Sequence, residues 1–389
     1  MMDYGRLLSP TVCEIKPSGI RKFFDIAETM EDVISLGVGE PDFLTPWEIR
    51  KAGILSLEGG KTRYTSNRGL AALREEICNY MNRKYGISYD SQGEVLVTVG
   101  GSEGIDAALR ACLEAGDEVI IPQPSYVCYE PIVRLCGATP VIIRTRAEHD
   151  FKLTKEELQA AITPRTKVLI LPYPCNPTGA IMERGDLEDL AQVLKNTNIL
   201  VLSDEIYAEL TFGGKKHVSI ASLEGMKERT VVINGFSKTF SMTGWRLGFA
   251  CGPAPVMAQM TKIHQYAIMC APTTSQYAAI EALKNGDEAV GAMLEEYDMR
   301  RRLMVEGFCR IGLACREPKG AFYTFPSIAS TGLSSEEFCE QLLYAERVAV
   351  VPGTAFGQGG EGFIRASYCY STEHIAEALR RIEHFLKNR

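Results

Sequence analysis

Seven short runs of valine, isoleucine and leucine recur between residues 94 and 250, at 94–99, 118–121, 140–144, 167–171, 199–202, 230–233 and 246–250. They show little polar alternation. A strand with one wet face alternates apolar and polar residues, whereas a strand covered on both faces reads as a continuous apolar run. Helical patterns such as 155–161 and 187–194 lie between the runs. Strands and helices in alternation predict an α/β domain with a mostly parallel sheet. Ligands of such sheets collect at the carboxyl ends of the strands. The functional residues are sought there.

The pattern differs on either side of this region. Residues 1–45 read as an arm and a short strand (34–39) turned by Glu40-Pro41-Asp42, and helical patterns follow at 47–57 and 70–85 around a polar loop, 62–69. After about residue 285 come a long charged helix (295–311), a strand (321–325), a helix (335–347), strands at 348–352 and 363–367, and a last helix to 385. A chain of 389 residues has room for two or three domains. The expectation is a large domain, 46–285, and a smaller α+β domain built from both termini, 1–45 with 286–389.

Composition excludes several function classes. The net charge of −7 argues against nucleic-acid binding. The longest basic block, Arg300-Arg301-Arg302, is expected on a solvated helix face. No stretch has the apolar length of a membrane span, and the first ten residues lack the apolar core of a signal peptide. Twelve cysteines without a C-x-x-C pair, and five single histidines, point to neither zinc nor a disulfide framework. Reduced thiols in a cytoplasm are the expectation.

Polar groups gather where the apolar runs stop. After Val99, Gly100-Gly101-Ser102-Glu103 opens a helix whose free N–H groups suit a phosphate, although Ser102 serves equally as a cap. After Leu171 comes Asn176-Pro177-Thr178-Gly179, which also reads as a plain turn. Asp204 and Glu205 follow Leu202, and a helix-capping role is as good an account of them. After Ile233, Lys238 stands in Ser237-Lys238-Thr239-Phe240 with no charged neighbour until Arg246. A lysine in a poorly solvated pocket loses stabilisation of its charged form and becomes a nucleophile toward carbonyls, the chemistry used with pyridoxal phosphate. A lysine snorkelling to the surface is the alternative.

Taken together, these motifs resemble those of the class I aminotransferases, fold-type I pyridoxal-phosphate enzymes, in the aspartate/aromatic subgroup. The resemblance runs from Gly37-Val38-Gly39-Glu40-Pro41-Asp42-Phe43 to Gly353-Thr354-Ala355-Phe356-Gly357. It implies pyridoxal 5'-phosphate as cofactor, carried covalently on Lys238, with Asp204 against the pyridine nitrogen. Asn176 and Tyr207 match the donors to the ring oxygen, and Tyr126 the aromatic stacked on the ring. Ser102, the N–H of Glu103, Ser237 and Arg246 match the phosphate cup. Tyr64 matches a tyrosine that reaches the phosphate of the neighbouring subunit, which implies a homodimer with shared sites. Arg365 matches the arginine that forks onto the substrate α-carboxylate, aided by the backbone of Gly37.

The implied activity is a ping-pong amino transfer between an amino acid and a 2-oxo acid. Aspartate-preferring members carry a lysine where Ser102 stands, and a threonine where Ile20 aligns. Those departures favour an aromatic or apolar donor with 2-oxoglutarate as acceptor, although Arg21 and Lys22 stand ready for a dicarboxylate. An aspartate aminotransferase and a carbon–sulfur β-lyase on the same fold are the alternatives. A non-catalytic effector-binding module fits poorly, because the family pattern starts almost at Met1.

Overall fold

A computed structural model describes residues 2–17, 19–20, 26 and 30–388; Arg21 and Lys22 lie outside the described residues. The N-terminal region supplies one short strand, β1 (Ile34–Ser35). The seven apolar runs then become β2 (Val95–Thr98), β3 (Glu118–Gln123), β4 (Thr139–Arg144), β5 (Thr166–Leu171), β6 (Leu200–Asp204), β7 (Thr230–Gly235) and β8 (Gly248–Cys251). They form one sheet in the order β2-β8-β7-β6-β5-β3-β4. Every neighbouring pair is parallel except those of β8, which runs against both β2 and β7. The sheet is mostly parallel, as the runs implied.

Its inner strands are covered on both faces, while the edge strand β4 is only partly buried. Every residue of β2, β3, β7 and β8 is buried. Helix Gly101–Cys112 packs on one side with Ile105 and Leu109, and Phe236 and Phe240 fill the other. Each fully buried valine, leucine or isoleucine contributes about 1.5–3 kcal/mol. A core of this size tolerates a few buried ionisable groups at its edge.

The remaining strands are short. β9 (Tyr323–Thr324), β11 (Val351–Pro352) and β12 (Ile364–Ser367) form an antiparallel sheet, and β1 pairs in parallel with β10 (Val348–Ala349). That pairing ties the N-terminal stretch to the C-terminal region. The charged helix spans Asp287–Arg310 and so starts eight positions before the expected 295.

The arginine triplet on this helix is not a solvated face. Arg300 and Arg301 are buried, and only Arg302 is exposed. Arg300 reaches Asp42 at 2.8 Å and Glu296 at 2.8 Å, while Arg301 is held by Asp298 and Glu317. The stem of an arginine packs like an apolar residue, and its fork is satisfied by carboxylates.

Strand β8 meets the start of helix Gly101–Cys112 backbone to backbone. A Cβ at Gly248 would lie 2.7 Å from the carbonyl carbon of Gly100 and 2.9 Å from the nitrogen of Gly101. No flexible side chain can yield there. Gly248→Ala should lower stability by about 1–3 kcal/mol, the scale of overpacking. Gly244→Ala, with nothing within 4 Å, should change it by less than about 0.5 kcal/mol. Urea midpoints of the two variants test this; equal midpoints would show that the contact is not tight.

Candidate active site

The strand ends converge on a cavity of about 320 Å³, within the range of small-molecule sites. Ser102 comes from the turn after β2 and Tyr126 from the loop after β3. Asn176 follows β5, Asp204 ends β6, and Tyr207 lies just beyond it. Ser237 and Lys238 follow β7, Arg246 precedes β8, and Arg365 comes from β12. All of them line this cavity.

Lys238 is open to the cavity, and its amine is removed from bulk water. Its Nζ donates to the carbonyl of Gly39 at 2.6 Å and sits 5.5 Å from the centre of the Phe322 ring. Burial lowers its pKa to about 8. The surface-snorkelling alternative is thereby set aside.

Asp204 is buried at the end of β6. Tyr129 donates its hydroxyl to Oδ2 at 2.6 Å, and the Ile206 N–H reaches Oδ1 at 3.2 Å. No ion pair to Asp204 exists among the described residues. Burial raises its pKa, against the pull of those two donors. Glu205 turns away from the cavity: it accepts from Ser203 and Ser219 at 2.8 and 2.6 Å and faces His217 at 2.9 Å. Neither acid caps a helix.

The opposite requirement, an anion, is set by the glycine turn. Gly100 is the residue before helix Gly101–Cys112, with φ +82, and a Cβ there would fall 2.9 Å from the Arg246 guanidinium. The first N–H groups of that helix, Glu103 included, have no intrahelical acceptor. The Glu103 side chain points elsewhere, accepting from the Val99 N–H and meeting His264 at 2.5 Å. Ser102 lies in the first turn and lines the same cavity as Tyr126.

Arg365 is buried between two rings, 4.4 Å from the centre of Tyr323 and 4.8 Å from that of Phe356. It donates to Asn176 Oδ1 at 2.9 Å and to the carbonyl of Gly37. Gly37 therefore reaches the site as the support of Arg365. Tyr64 does not reach the cavity: it is 82% exposed, in a surface loop. Sequence reasoning missed Tyr129 and also Tyr323, whose hydroxyl lies 2.9 Å from that of Tyr207. Nothing local to either residue marks it.

A family model for aminotransferase class I and II matches residues 31–382. The chain belongs to the class I and II aminotransferases. Its fold is that of the fold-type I pyridoxal-phosphate enzymes, and it is an enzyme of the transaminase class, acting on amino acids and 2-oxo acids. Among its relatives, a putative aminotransferase, YugH, of Bacillus subtilis is 55% identical over 97% of this chain and 98% of its own. An aspartate aminotransferase of Pyrococcus abyssi is 46% identical over 96% and 97%. The crystal structure of an aromatic aminotransferase from Pyrococcus horikoshii is 45% identical, covering 94% of this chain and 99% of its own, with a TM-score of 0.91. Members of the family generally work with pyridoxal phosphate.

The enclosed amine has a direct consequence. Only the neutral form attacks an acylating reagent, so its reactivity rises with pH through its own pKa. In cofactor-free protein, acetylation of Lys238 by acetic anhydride should reach half its plateau rate near pH 8. Exposed lysines should follow about pH 10.4. Mass spectrometry of the labelled peptides reads both. A Lys238 profile that matches the exposed lysines would contradict the enclosure.

Proposed function

We propose that this aminotransferase binds pyridoxal 5'-phosphate on Lys238 and moves the amino group of an aromatic or apolar L-amino acid to 2-oxoglutarate. The observation that carries the reading is one cavity with two opposite demands. Asp204, buried and without an ion pair among the described residues, calls for a cationic N–H donor. The Gly100 turn, the helix N-terminus and Arg246 call for an anion. A ring with a protonated nitrogen at one end and a phosphate at the other meets both.

In this reading Ser102, the Glu103 N–H, Ser237 and Arg246 hold the phosphate. Asn176 and Tyr207 donate to the ring oxygen, and Tyr126 covers the ring. When bound, the cofactor supplies an aldehyde for the substrate amine and a ring that draws electrons from Cα. Arg365, fixed between Tyr323 and Phe356, clamps the α-carboxylate, with Gly37 holding the arginine in place. The Lys238 amine, neutral above about pH 8, takes the proton from Cα and acts as the general base. Amino donor and oxo-acid acceptor use the site in turn, a ping-pong order. Borohydride reduction of the yellow loaded protein should fix the cofactor mass on Lys238. Label on any other lysine sinks the assignment.

The division into a large unit, 46–285, and a smaller one from both termini is supported by the β1–β10 pairing. A homodimer sharing its sites is supported by Tyr64, exposed together with Leu44, Trp47 and Tyr266, and light scattering on the loaded protein reads it directly. Twelve free cysteines fit a reducing cytoplasm. Among the described residues no helix is long and apolar enough to cross a membrane.

The donor preference follows from the cations present. Among the described residues the cavity holds Lys238, Arg246 and Arg365, each already committed to a role above. Ser102, Ile20 and Val38 line it without charge. A distal carboxylate left there without a partner would cost several kcal/mol, which decides the preference. The ratio of kcat/KM for phenylalanine over aspartate, with 2-oxoglutarate as acceptor, should exceed about ten. A ratio below one overturns the substrate class and leaves the cofactor assignment standing.

A further inference from the structure

Tyr129 fills no role in the family resemblance and carries no mark in the sequence, yet it touches both sides of the proposed ring site. We infer that Tyr129 is a positioning residue: its hydroxyl aims and sustains the Asp204 carboxylate, while its ring seats Tyr126. The inference rests on the cofactor reading above.

The geometry is tight. Tyr129 is 1% exposed and opens the helix Tyr129–Leu135 directly after the Tyr126 loop. Its hydroxyl is 2.6 Å from Asp204 Oδ2. Its ring meets that of Tyr126 edge to face, centroids 5.9 Å apart at 85°. A carboxylate has about four lone-pair sites, and Tyr129 and the Ile206 N–H occupy two of them. The others are left for a donor in the cavity.

Charge explains why a hydroxyl is needed here. Burial and the neighbouring Glu205 both favour protonation of Asp204. The Tyr129 hydroxyl and the Ile206 N–H oppose them, and among the described residues Tyr129 contributes the one side-chain donor. Burial also holds the Tyr129 phenol well above the ordinary tyrosine range, so it remains a donor throughout the working pH. Without that donor, Asp204 would hold a proton more readily. A ring nitrogen facing it would then be left neutral and would draw electrons from Cα less strongly.

The test loads wild type and Tyr129→Phe with pyridoxal phosphate carrying 15N in the ring and records the nitrogen resonance together with kinetics. Wild type should show the protonated-nitrogen shift, and Tyr129→Phe should move toward neutral pyridine. kcat should fall about 10- to 100-fold, the scale of a lost hydrogen bond to a charged group, with KM for the amino donor within about twofold. In an Asp204→Ala background, Tyr129→Phe should cost nothing further; additive losses would place its action elsewhere. If Tyr129→Phe unfolds before loading, Tyr129→His, with a flat ring and an N–H donor, takes its place. A retained protonated-nitrogen shift then supports the inference and a neutral one overturns it. Protein that takes up no cofactor sinks the cofactor reading itself. Normal uptake with an unmoved resonance in Tyr129→Phe sinks only the role of Tyr129.

Discussion

With the inner strands of the sheet packed on both faces, polar groups following β5 to β7 gather at the strand ends, and there Lys238 and Asp204 line one cavity. Desolvation sets the behaviour of both. It draws the lysine down to about 8 and pushes the aspartate up. Two groups of opposite charge in one cavity would ordinarily form an ion pair. Here the lysine donates to the Gly39 carbonyl and the aspartate accepts from Tyr129 and Ile206 instead. Keeping them apart leaves the amine free to attack and the carboxylate free to accept, which a direct pair would prevent.

The same enclosure supports Arg365. A guanidinium between two aromatic faces gains cation–π attraction without losing its donors. Its position also constrains the neighbouring chain. Tyr323, which forms one face, would overlap any side chain at residue 39: a Cβ there would lie 2.0 Å from its hydroxyl. The glycine at 39 therefore serves two purposes, admitting Tyr323 and exposing the carbonyl that Lys238 uses.

Much of this was legible in the sequence, and the exceptions are informative. Most of the seven strands were readable because two-sided burial leaves a continuous apolar run; the edge strand β4, only partly buried, kept its apolar centre. The reversal of β8 was not, because apolar composition carries no direction. Arg246, expected to begin that strand, instead takes a left-handed conformation at φ +52 just before it. Arg300 and Arg301 looked like a wet face because their partners Asp42 and Glu317 are remote in the chain or beyond the helix. Tyr129 and Tyr323 were invisible for a related reason: their bonds to Asp204 and Tyr207 span 75 and 116 positions. Local pattern announces elements, and rarely the contacts that close a site.

The reversed strand has one more effect. Because β8 runs back along β7 with Gly235 opposite Gly248, the segment 236–247 is a loop closed at its neck. Phe236, Phe240, Met242 and Leu247 sink into the core and pin it from within. Ser237, Lys238 and Arg246 thus ride on a hoop whose circumference is fixed. Stretching, sliding or opening it would mean extracting those anchors. The freedom left to Lys238 is rotation about its own side-chain bonds, so the reach of its amine is measured from a stationary base. Whatever rotamer the side chain takes, that origin stays where the buried anchors hold it.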